Sequence, residues 1–145
     1  MERYKVFTLA ITNITRSIRK IKTVEMAKWN LKSQHVSCIY YLYEKGVLTA
    51  TELCEICGED KANISRSIEY LEEYGYIARK ERANHRYKTH YTLTDLGLTV
   101  GKSIFERVES VITRAGEGLS DDDRNAMYQS LSTINKNLKN IVSEY

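Results

Sequence analysis

The chain has 145 residues, of which 42% are hydrophobic and 28% charged, and its formal net charge is +3. This length suffices for one domain with a buried core, and seven glycines without any proline favour long helices. No apolar run approaches the ~20 residues of a membrane span, no signal-peptide pattern opens the chain, and three cysteines do not make a disulfide framework. These features predict a cytoplasmic, largely helical protein.

The first predicted helix, residues 3–28, carries apolar side chains every three or four positions, which is the spacing of one helical face. Part of this stripe should meet the chain's own core and part is a candidate dimer surface. We assign Phe7, Ile11 and Ile14 to dimerisation. Cations from Arg16 to Lys22 occupy the rest of the helix. They are typical of a solvated face, although close to a dimer axis they could approach a DNA backbone.

A second helix is predicted to begin with Ser33 as its cap and to end before Gly46. Tyr40 and Tyr43 lie on its inward face. Aromatic residues at helical spacing belong more often to a core than to a ligand pocket, so we prefer the core interpretation for both tyrosines. An effector pocket is the alternative.

Two short helices with a glycine corner between them follow. Thr49 and Glu52 have the spacing of a capping box at the start of the first helix. Gly58 can supply a left-handed corner and Asp60 a cap for the second helix. Short polar and cationic side chains near the start of that second helix suit contacts with base edges and phosphates. We therefore predict a helix-turn-helix whose DNA-facing residues are Lys61, Asn63, Ser65 and Arg66. Asn63 and Ser65 would read bases, and Lys61 and Arg66 would hold phosphates or guanines.

A basic hairpin is predicted directly after this helix, because the pattern changes to alternation, with Tyr91 and Leu93 facing inward. Residues 76–92 hold five cations and one anion, and counterion release makes such a patch a phosphate binder. A basic hairpin after a recognition helix is a wing. For His85 at its tip, a phosphate contact and simple exposure are equally favoured. The predicted DNA contacts of the wing are Arg82, Asn84, His85, Arg86 and Lys88.

Two more helices are predicted after the wing. Thr94 can cap a helix over 95–116, and Ser120 with Asp123 has capping-box spacing at the start of the last helix. An apolar seam on that last helix, spaced four and three apart, is typical of packing against another helix in the same or a partner chain. We assign to dimerisation its residues Leu131, Ile134, Leu138 and Ile141.

The predicted organisation is one compact unit with three parts. These are an N-terminal dimerisation helix (1–32), a winged helix-turn-helix region (33–95) and C-terminal dimerisation helices (96–145). The fold class is mostly α with a small β-hairpin wing, a winged helix-turn-helix of about six helices that forms a dimer.

The cysteines invite two interpretations. Cys54 and Cys57 form a C-x-x-C pair, which suggests a redox switch or half of a zinc site, and Cys38 could be a sensor. Free cysteine also packs as a small hydrophobe, and no second cysteine pair or histidine cluster completes a metal site. The core interpretation is preferred, and neither a metal nor a cofactor is predicted.

The chain resembles the MarR family of bacterial transcriptional regulators in residues 48–77 and in the Leu-Thr-Asp-Leu-Gly element at 93–97. The resemblance implies a winged-helix homodimer whose first, fifth and sixth helices dimerise, with recognition helices in successive major grooves and wings at the flanking minor grooves. It also implies that a small molecule, metal or oxidant can loosen DNA binding. The family's wing often carries Asp-x-Arg. Here Asn84, His85 and Arg86 stand in its place, so Arg86 is carried over and the aspartate is missing. Peroxide sensors of the family place their reactive cysteine near the N-terminus, where this chain has none.

The leading hypothesis for function is a sequence-specific transcriptional regulator, with repression favoured over activation. It would act as a homodimer on a palindromic operator with half-sites ~10 bp apart, and a small-molecule effector could release it. The alternative is a winged-helix adaptor or antirepressor that does not bind DNA. An enzyme is a distant third, since the sequence has no paired carboxylates, nucleophile and base spacing or phosphate-cradling glycine loop.

Overall fold

The structure is a computed structural model that describes residues 2–80 and 89–145, so the predicted wing contacts Arg82, Asn84, His85, Arg86 and Lys88 lie outside the described residues. A single 3-10 turn, Ala27–Trp29, follows the first helix. The helices and strands in chain order are α1 (Glu2–Met26), α2 (Ser33–Lys45), β1 (Val47–Thr49), α3 (Ala50–Cys57), α4 (Lys61–Glu73), β2 (Ile77–Lys80), β3 (His90–Leu93), α5 (Asp95–Ala115) and α6 (Asp121–Val142).

Backbone contacts divide the chain into two compact units, one ending at Glu106 and one spanning Arg107–Tyr145. Within the described ranges, no helix combines the length and the apolar character needed to cross a bilayer.

The helix-turn-helix begins with the predicted capping box. The Thr49 hydroxyl accepts from the Glu52 N–H at 3.2 Å, and the Glu52 carboxylate accepts from the Thr49 N–H at 2.7 Å. Gly58 ends α3 with φ of 65°, the left-handed region that favours glycine. Asp60 then caps α4, because its Oδ1 accepts from the Asn63 N–H at 2.7 Å. The sequence-based boundaries of α3 and α4 are confirmed.

The start of α2 differs from the expectation. Ser33 is the first helical residue and not the cap, which is Lys32. The Lys32 N–H donates to Nδ1 of His35 at 3.1 Å, so an imidazole three residues into the helix satisfies this backbone donor. His35 is buried and its ring stacks on Tyr70 of α4, with centroids 4.2 Å apart. The predicted Ser33 cap is therefore wrong, because the histidine side chain takes that role.

Acidification is expected to destabilise the protein through His35. Burial lowers the pKa of this imidazole, and the nearby Lys32 charge lowers it further. The unfolded chain then binds the proton more readily, so the stabilisation is present above about pH 6.5 and is lost as the pH falls toward the folded-state pKa. Protonation of Nδ1 removes the cap acceptor, which costs about 0.5–2 kcal/mol. Thermal unfolding between neutral pH and pH 5 measures this loss.

The control for this prediction is His35→Gln, whose amide oxygen can accept a hydrogen bond but does not titrate. We expect the variant to lose less stability than the parent over the same pH range. Equal losses in the two proteins would show that other groups cause the pH dependence.

The small sheet has β3 in the centre, with β1 and β2 antiparallel on either side. Val47 pairs with Thr92 across one edge, and Ile77 pairs with Leu93 across the other. Tyr91 and Leu93 are buried, as their alternation predicted. The strand pair that carries the wing is therefore held in the same sheet as the strand leading into α3.

The core of the first unit is built from the inward faces of α2 to α5. Tyr40 and Tyr43 are half-buried, and both rings contact Phe105 of α5, at centroid distances of 5.7 Å and 5.6 Å. The apolar side chains with almost no exposed surface are Val36, Ile39, Leu42, Leu53, Ile64, Leu71, Val100 and Ile104.

The α1 stripe predicted to dimerise is largely uncovered in the single chain. Phe7, Ile11 and Ile14 are exposed, and Met26 is the only buried residue of this helix among those described. The stripe therefore remains available to a second polypeptide.

The second unit contains the end of α5 and all of α6. The Ser120 hydroxyl accepts from the Asp123 N–H at 3.1 Å, so the predicted cap of α6 is confirmed. Arg124 donates to the Gly116 carbonyl at 3.3 Å across the turn. No residue of α6 is buried. Leu131, Leu138 and Ile141 of the predicted seam are exposed, and Ile134 is intermediate.

Candidate nucleic-acid interface

Helix α4 has one buried and one exposed side, as a recognition helix requires. Ile64, Ser67, Ile68 and Leu71 are buried against the first unit. The side chains of Lys61, Ser65 and Arg66 are exposed, and Asn63 is intermediate. All four predicted DNA-facing residues of this helix therefore lie on or beside one polar face. That face can present three kinds of hydrogen-bonding group to a groove: an ammonium, a hydroxyl and a guanidinium.

Asn63 is tied into a set of side-chain hydrogen bonds that the sequence did not reveal. Its amide Nδ2 donates to Glu59 Oε2 and to Asp60 Oδ2, both at 3.2 Å. Its Oδ1 accepts from Nη2 of Arg66. The spacing of these residues, three or four positions apart, could have suggested contact on one helix face. It could not have indicated which groups pair.

The wing strand β2 is joined to α4 by an ion pair. Arg79 Nε lies 3.0 Å from Glu72 Oε2, and Arg79 Nη2 lies 3.5 Å from Glu72 Oε1. This hydrogen bond raises the pKa of the Arg79 guanidinium. An exposed pair of this kind contributes little stability. The pair is nevertheless bidentate, and it therefore orients β2 relative to the recognition helix.

The other side of the hairpin is anchored at the start of α5. Thr94 donates to the Gly75 carbonyl at 2.5 Å and accepts from the Gly97 N–H at 3.1 Å. The predicted cap by Thr94 is confirmed. The same hydroxyl also reaches the turn between α4 and β2, so one residue fixes the base of the wing to the end of the recognition helix.

Two tyrosines hold the segment between α1 and α2 against α4 and the sheet. The Tyr70 hydroxyl donates to the Asn30 carbonyl at 2.5 Å, and the Tyr76 hydroxyl donates to the Trp29 carbonyl at 3.1 Å. Asn30 has φ of 55°, in the left-handed region. These contacts span 40 residues or more, so no local sequence signal could have predicted them.

Two grooves flank the recognition helix. The larger has a volume of about 460 Å³ and lies between α3, α4 and the sheet, with Lys61, Ser65 and Arg79 in its lining. The smaller has a volume of about 220 Å³ and is lined by Arg19, Ser33, Gln34, Glu59 and Asn63. The lining of the larger groove also includes the acids Glu55, Glu69 and Glu72. Charged groups of both signs therefore border α4 on both sides.

The cysteines pack mainly as core residues. Cys38 is fully buried, while Cys54 and Cys57 are intermediate. A hydrogen bond from the Cys38 thiol lowers the pKa of Cys57, burial opposes that shift, and the Lys22 charge adds to it. In the described part of the chain, no three His, Cys, Asp or Glu residues are arranged to hold a metal ion.

Lys22 is not part of a solvated helix face, as we had expected it to be. Its Nζ donates to the Ser37 hydroxyl at 2.9 Å. Burial lowers the pKa of its ammonium. Arg16, Arg19 and Lys20 are exposed as expected. The cationic run therefore includes one residue that joins α1 to α2.

The family model for the MarR family matches residues 29–86, a stretch that contains α2, α3, α4 and β2. This part of the chain is similar to the MarR family. A curated relative, the HTH-type transcriptional regulator YfiV of Bacillus subtilis (strain 168), is 22% identical over 120 residues, covering 83% of this chain and 75% of YfiV.

Solved MarR family structures share the fold over almost the whole chain. The transcriptional regulator SlyA is 23% identical, with a TM-score of 0.82 over 91% of this chain and 93% of SlyA. A MarR family regulator from Listeria monocytogenes, crystallised with a 26mer DNA, is 22% identical, with a TM-score of 0.83 over 90% and 87% of the two chains. FabT of Streptococcus pneumoniae, also crystallised with DNA, is 17% identical, with a TM-score of 0.78 over 95% and 99%.

The solved structures confirm the expected winged helix-turn-helix fold with six helices and a small antiparallel sheet. The match to the MarR family model and the similarity to a transcriptional regulator both agree with the expected class of function, which is DNA-binding transcriptional regulation. The roles predicted for individual residues remain proposals.

Proposed function

We propose that this protein is a MarR family regulator, a sequence-specific repressor that binds a palindromic operator as a homodimer. The observation that carries the proposal is the polar, cationic face of α4, which is exposed while the opposite face is buried. Two relatives of the same fold were crystallised with DNA. We expect the protein to act in the cytoplasm, where a bacterial chromosome lies.

In this proposal α4 enters the major groove, and Lys61, Ser65 and Arg66 contact base edges or phosphates. The wing grips the backbone or the minor groove through cations predicted from the sequence alone, Arg82, Arg86 and Lys88, with Asn84 and His85 beside them. The ion pair between Arg79 and Glu72 supports this arrangement, because it orients the wing strand next to the recognition helix.

Homodimerisation supplies two recognition helices for two half-sites. The apolar stripes of α1 and α6 support it, since each is exposed in a single chain, and exposed apolar surface of this extent marks an interaction site. A two-fold interface needs only one self-complementary surface. The functional division at 1–32, 33–95 and 96–145 follows from this proposal.

A small-molecule effector remains part of the proposal, with Tyr40 and Tyr43 as its expected contacts. Both rings already pack against Phe105. A ligand entering there would have to displace an aromatic contact between α2 and α5, which offers a route from ligand binding to a change in the winged helix.

Replacement of the wing arginine tests the DNA-binding mode. Arg86→Ala is expected to weaken binding to all duplexes alike and to reduce the slope of log K against log salt by about 1, because one phosphate contact is lost. An electrophoretic shift assay with the DNA upstream of the protein's own gene, at several salt concentrations, measures both quantities.

The matched control is Lys136→Ala, which removes an exposed cation from α6. We expect the control to bind as the parent does. If Arg86→Ala also left the affinity and the salt slope unchanged, the wing would not contact DNA. Failure of the parent to bind any duplex would favour the adaptor alternative.

A further inference from the structure

We propose that Asn63 does not read a base itself but holds the guanidinium of Arg66 in position to read a guanine. The inference rests on the proposed binding of α4 in the major groove and assigns separate tasks to two of its residues. Asn63 is then a positioning residue and Arg66 the specificity-determining one.

The hydrogen bonds of Asn63 use both of its amide protons and one of the two lone pairs on its Oδ1. Both protons of Nδ2 have acceptors, Glu59 Oε2 and Asp60 Oδ2. Its Oδ1 accepts from Arg66. An asparagine reads adenine by donating from Nδ2 to N7 and accepting at Oδ1 from N6. Asn63 could do so only by breaking one of its two Nδ2 hydrogen bonds, to Glu59 or to Asp60.

The carboxylates also determine which way the amide points. The carboxylates of Glu59 and Asp60 are acceptors, so the Nδ2 end of the amide must face them. The Oδ1 end then faces the Arg66 guanidinium. Asp60 is needed as the cap of α4. Glu59 has no capping contact, and its carboxylate would repel DNA phosphates. Its hydrogen bond to Asn63 gives this acid a role at a surface that otherwise favours cations.

Arg66 keeps enough donors to read a base. A guanidinium has five N–H groups, and Asn63 occupies one Nη2 proton. Two of the remaining donors suffice for O6 and N7 of guanine, the commonest specific contact of arginine in the major groove. The Arg66 side chain is exposed and can therefore reach DNA. Because Asn63 already orients its guanidinium, the side chain loses less conformational freedom when it binds.

The test compares base preferences one position at a time. Duplexes of randomised sequence are selected with the full-length parent, and the enriched duplex is then substituted at each base pair and measured by competition. For the parent we expect a guanine in each half-site whose replacement costs about tenfold or more in affinity. Arg66→Ala and Arg66→Lys should both lose this preference, and Arg66→Lys should keep the parental salt slope because the charge remains.

Asn63→Ala is the decisive variant. We expect its discrimination to fall several-fold at the same base pair that Arg66 reads and at no other. The double variant should be no less selective than Arg66→Ala alone. Relaxation at a different base pair, or a further loss in the double variant, would overturn the inference while leaving DNA binding by α4 intact. Absence of any duplex binding by the parent would instead overturn the proposed function together with the inference.

Glu59 supplies a matched pair of variants. Glu59→Gln and Glu59→Ala both remove the negative charge, so both should tighten binding to every sequence alike. The glutamine can still accept from Asn63, so only Glu59→Ala should reduce the guanine preference. Equal base preferences in these two variants would overturn the role assigned to Glu59. Circular dichroism of each free variant checks that α4 remains helical.

Discussion

Replacing Gly97 by alanine is expected to lower the free energy of unfolding by about 3 kcal/mol or more, because no space exists for the added carbon. An ideal Cβ at Gly97 would lie 2.0 Å from the Tyr76 carbonyl oxygen and 3.1 Å from Cδ2 of Leu93. The first neighbour is backbone, so it cannot move away by a change of rotamer. Relief requires α5 to separate from the base of the wing.

The expected destabilisation by Gly97→Ala is opposite in sign to the usual effect of this substitution in a helix. An alanine in place of glycine within a helix ordinarily stabilises by about 0.5–1 kcal/mol, and Gly97 lies in the first turn of α5. Urea denaturation monitored by circular dichroism at fixed protein concentration gives the change. Thr99→Ala, at an exposed position in the same turn, should differ little from the parent. A Gly97→Ala protein as stable as the parent would contradict the close approach of α5 to the hairpin.

A glutamate in place of Leu138 is expected to abolish dimerisation and to weaken DNA binding by more than about 100-fold. Leu138 is 48% exposed in the single chain, so the substitution does not disturb the fold of one copy. In the proposed dimer it would bury an unpaired carboxylate, which costs about 3–5 kcal/mol. A monomer can occupy only one half-site at a time, and the gain from simultaneous binding of two is lost.

Analytical ultracentrifugation and the shift assay measure these two effects on the same samples. Gln129→Glu is the matched control, because it places the same charge on the opposite face of α6, about half a helical turn away. It should remain dimeric and bind DNA. If Leu138→Glu stayed dimeric, this side of α6 would not be in the interface. If it became monomeric and still bound at parental affinity, the dimer would not be needed for recognition.

Local signals were sufficient to predict much of the winged helix. The capping box at Thr49, the left-handed corner at Gly58 and the alternation of Tyr91 and Leu93 each depend on residues only a few positions apart, and each is confirmed. The Leu-Thr-Asp-Leu-Gly element at 93–97 was recognised only as a resemblance. The structure supplies its physical reason, since Thr94 ties the turn and Gly97 permits the close approach.

Contacts between distant residues were not predictable in the same way. Tyr70 and Tyr76 reach backbone carbonyls between α1 and α2 that are 40 and 47 residues away. The predicted Ser33 cap failed because propensity favours serine at a helix start, whereas the neighbouring imidazole of His35 satisfies the donor in the folded chain. For Asn63, residue type suggested base reading, and only the positions of Glu59, Asp60 and Arg66 revealed that its amide is occupied.

The salt dependence of duplex binding by the purified chain tests the central claim most directly. Two recognition helices and two basic wings that meet one duplex should release many counterions, so the affinity should fall steeply and linearly on a plot of log K against log salt. Sedimentation of the same complex should give two chains for each duplex. A chain that sediments as a monomer, or one whose affinity for duplex DNA of any sequence is undetectable in dilute salt, would contradict the account.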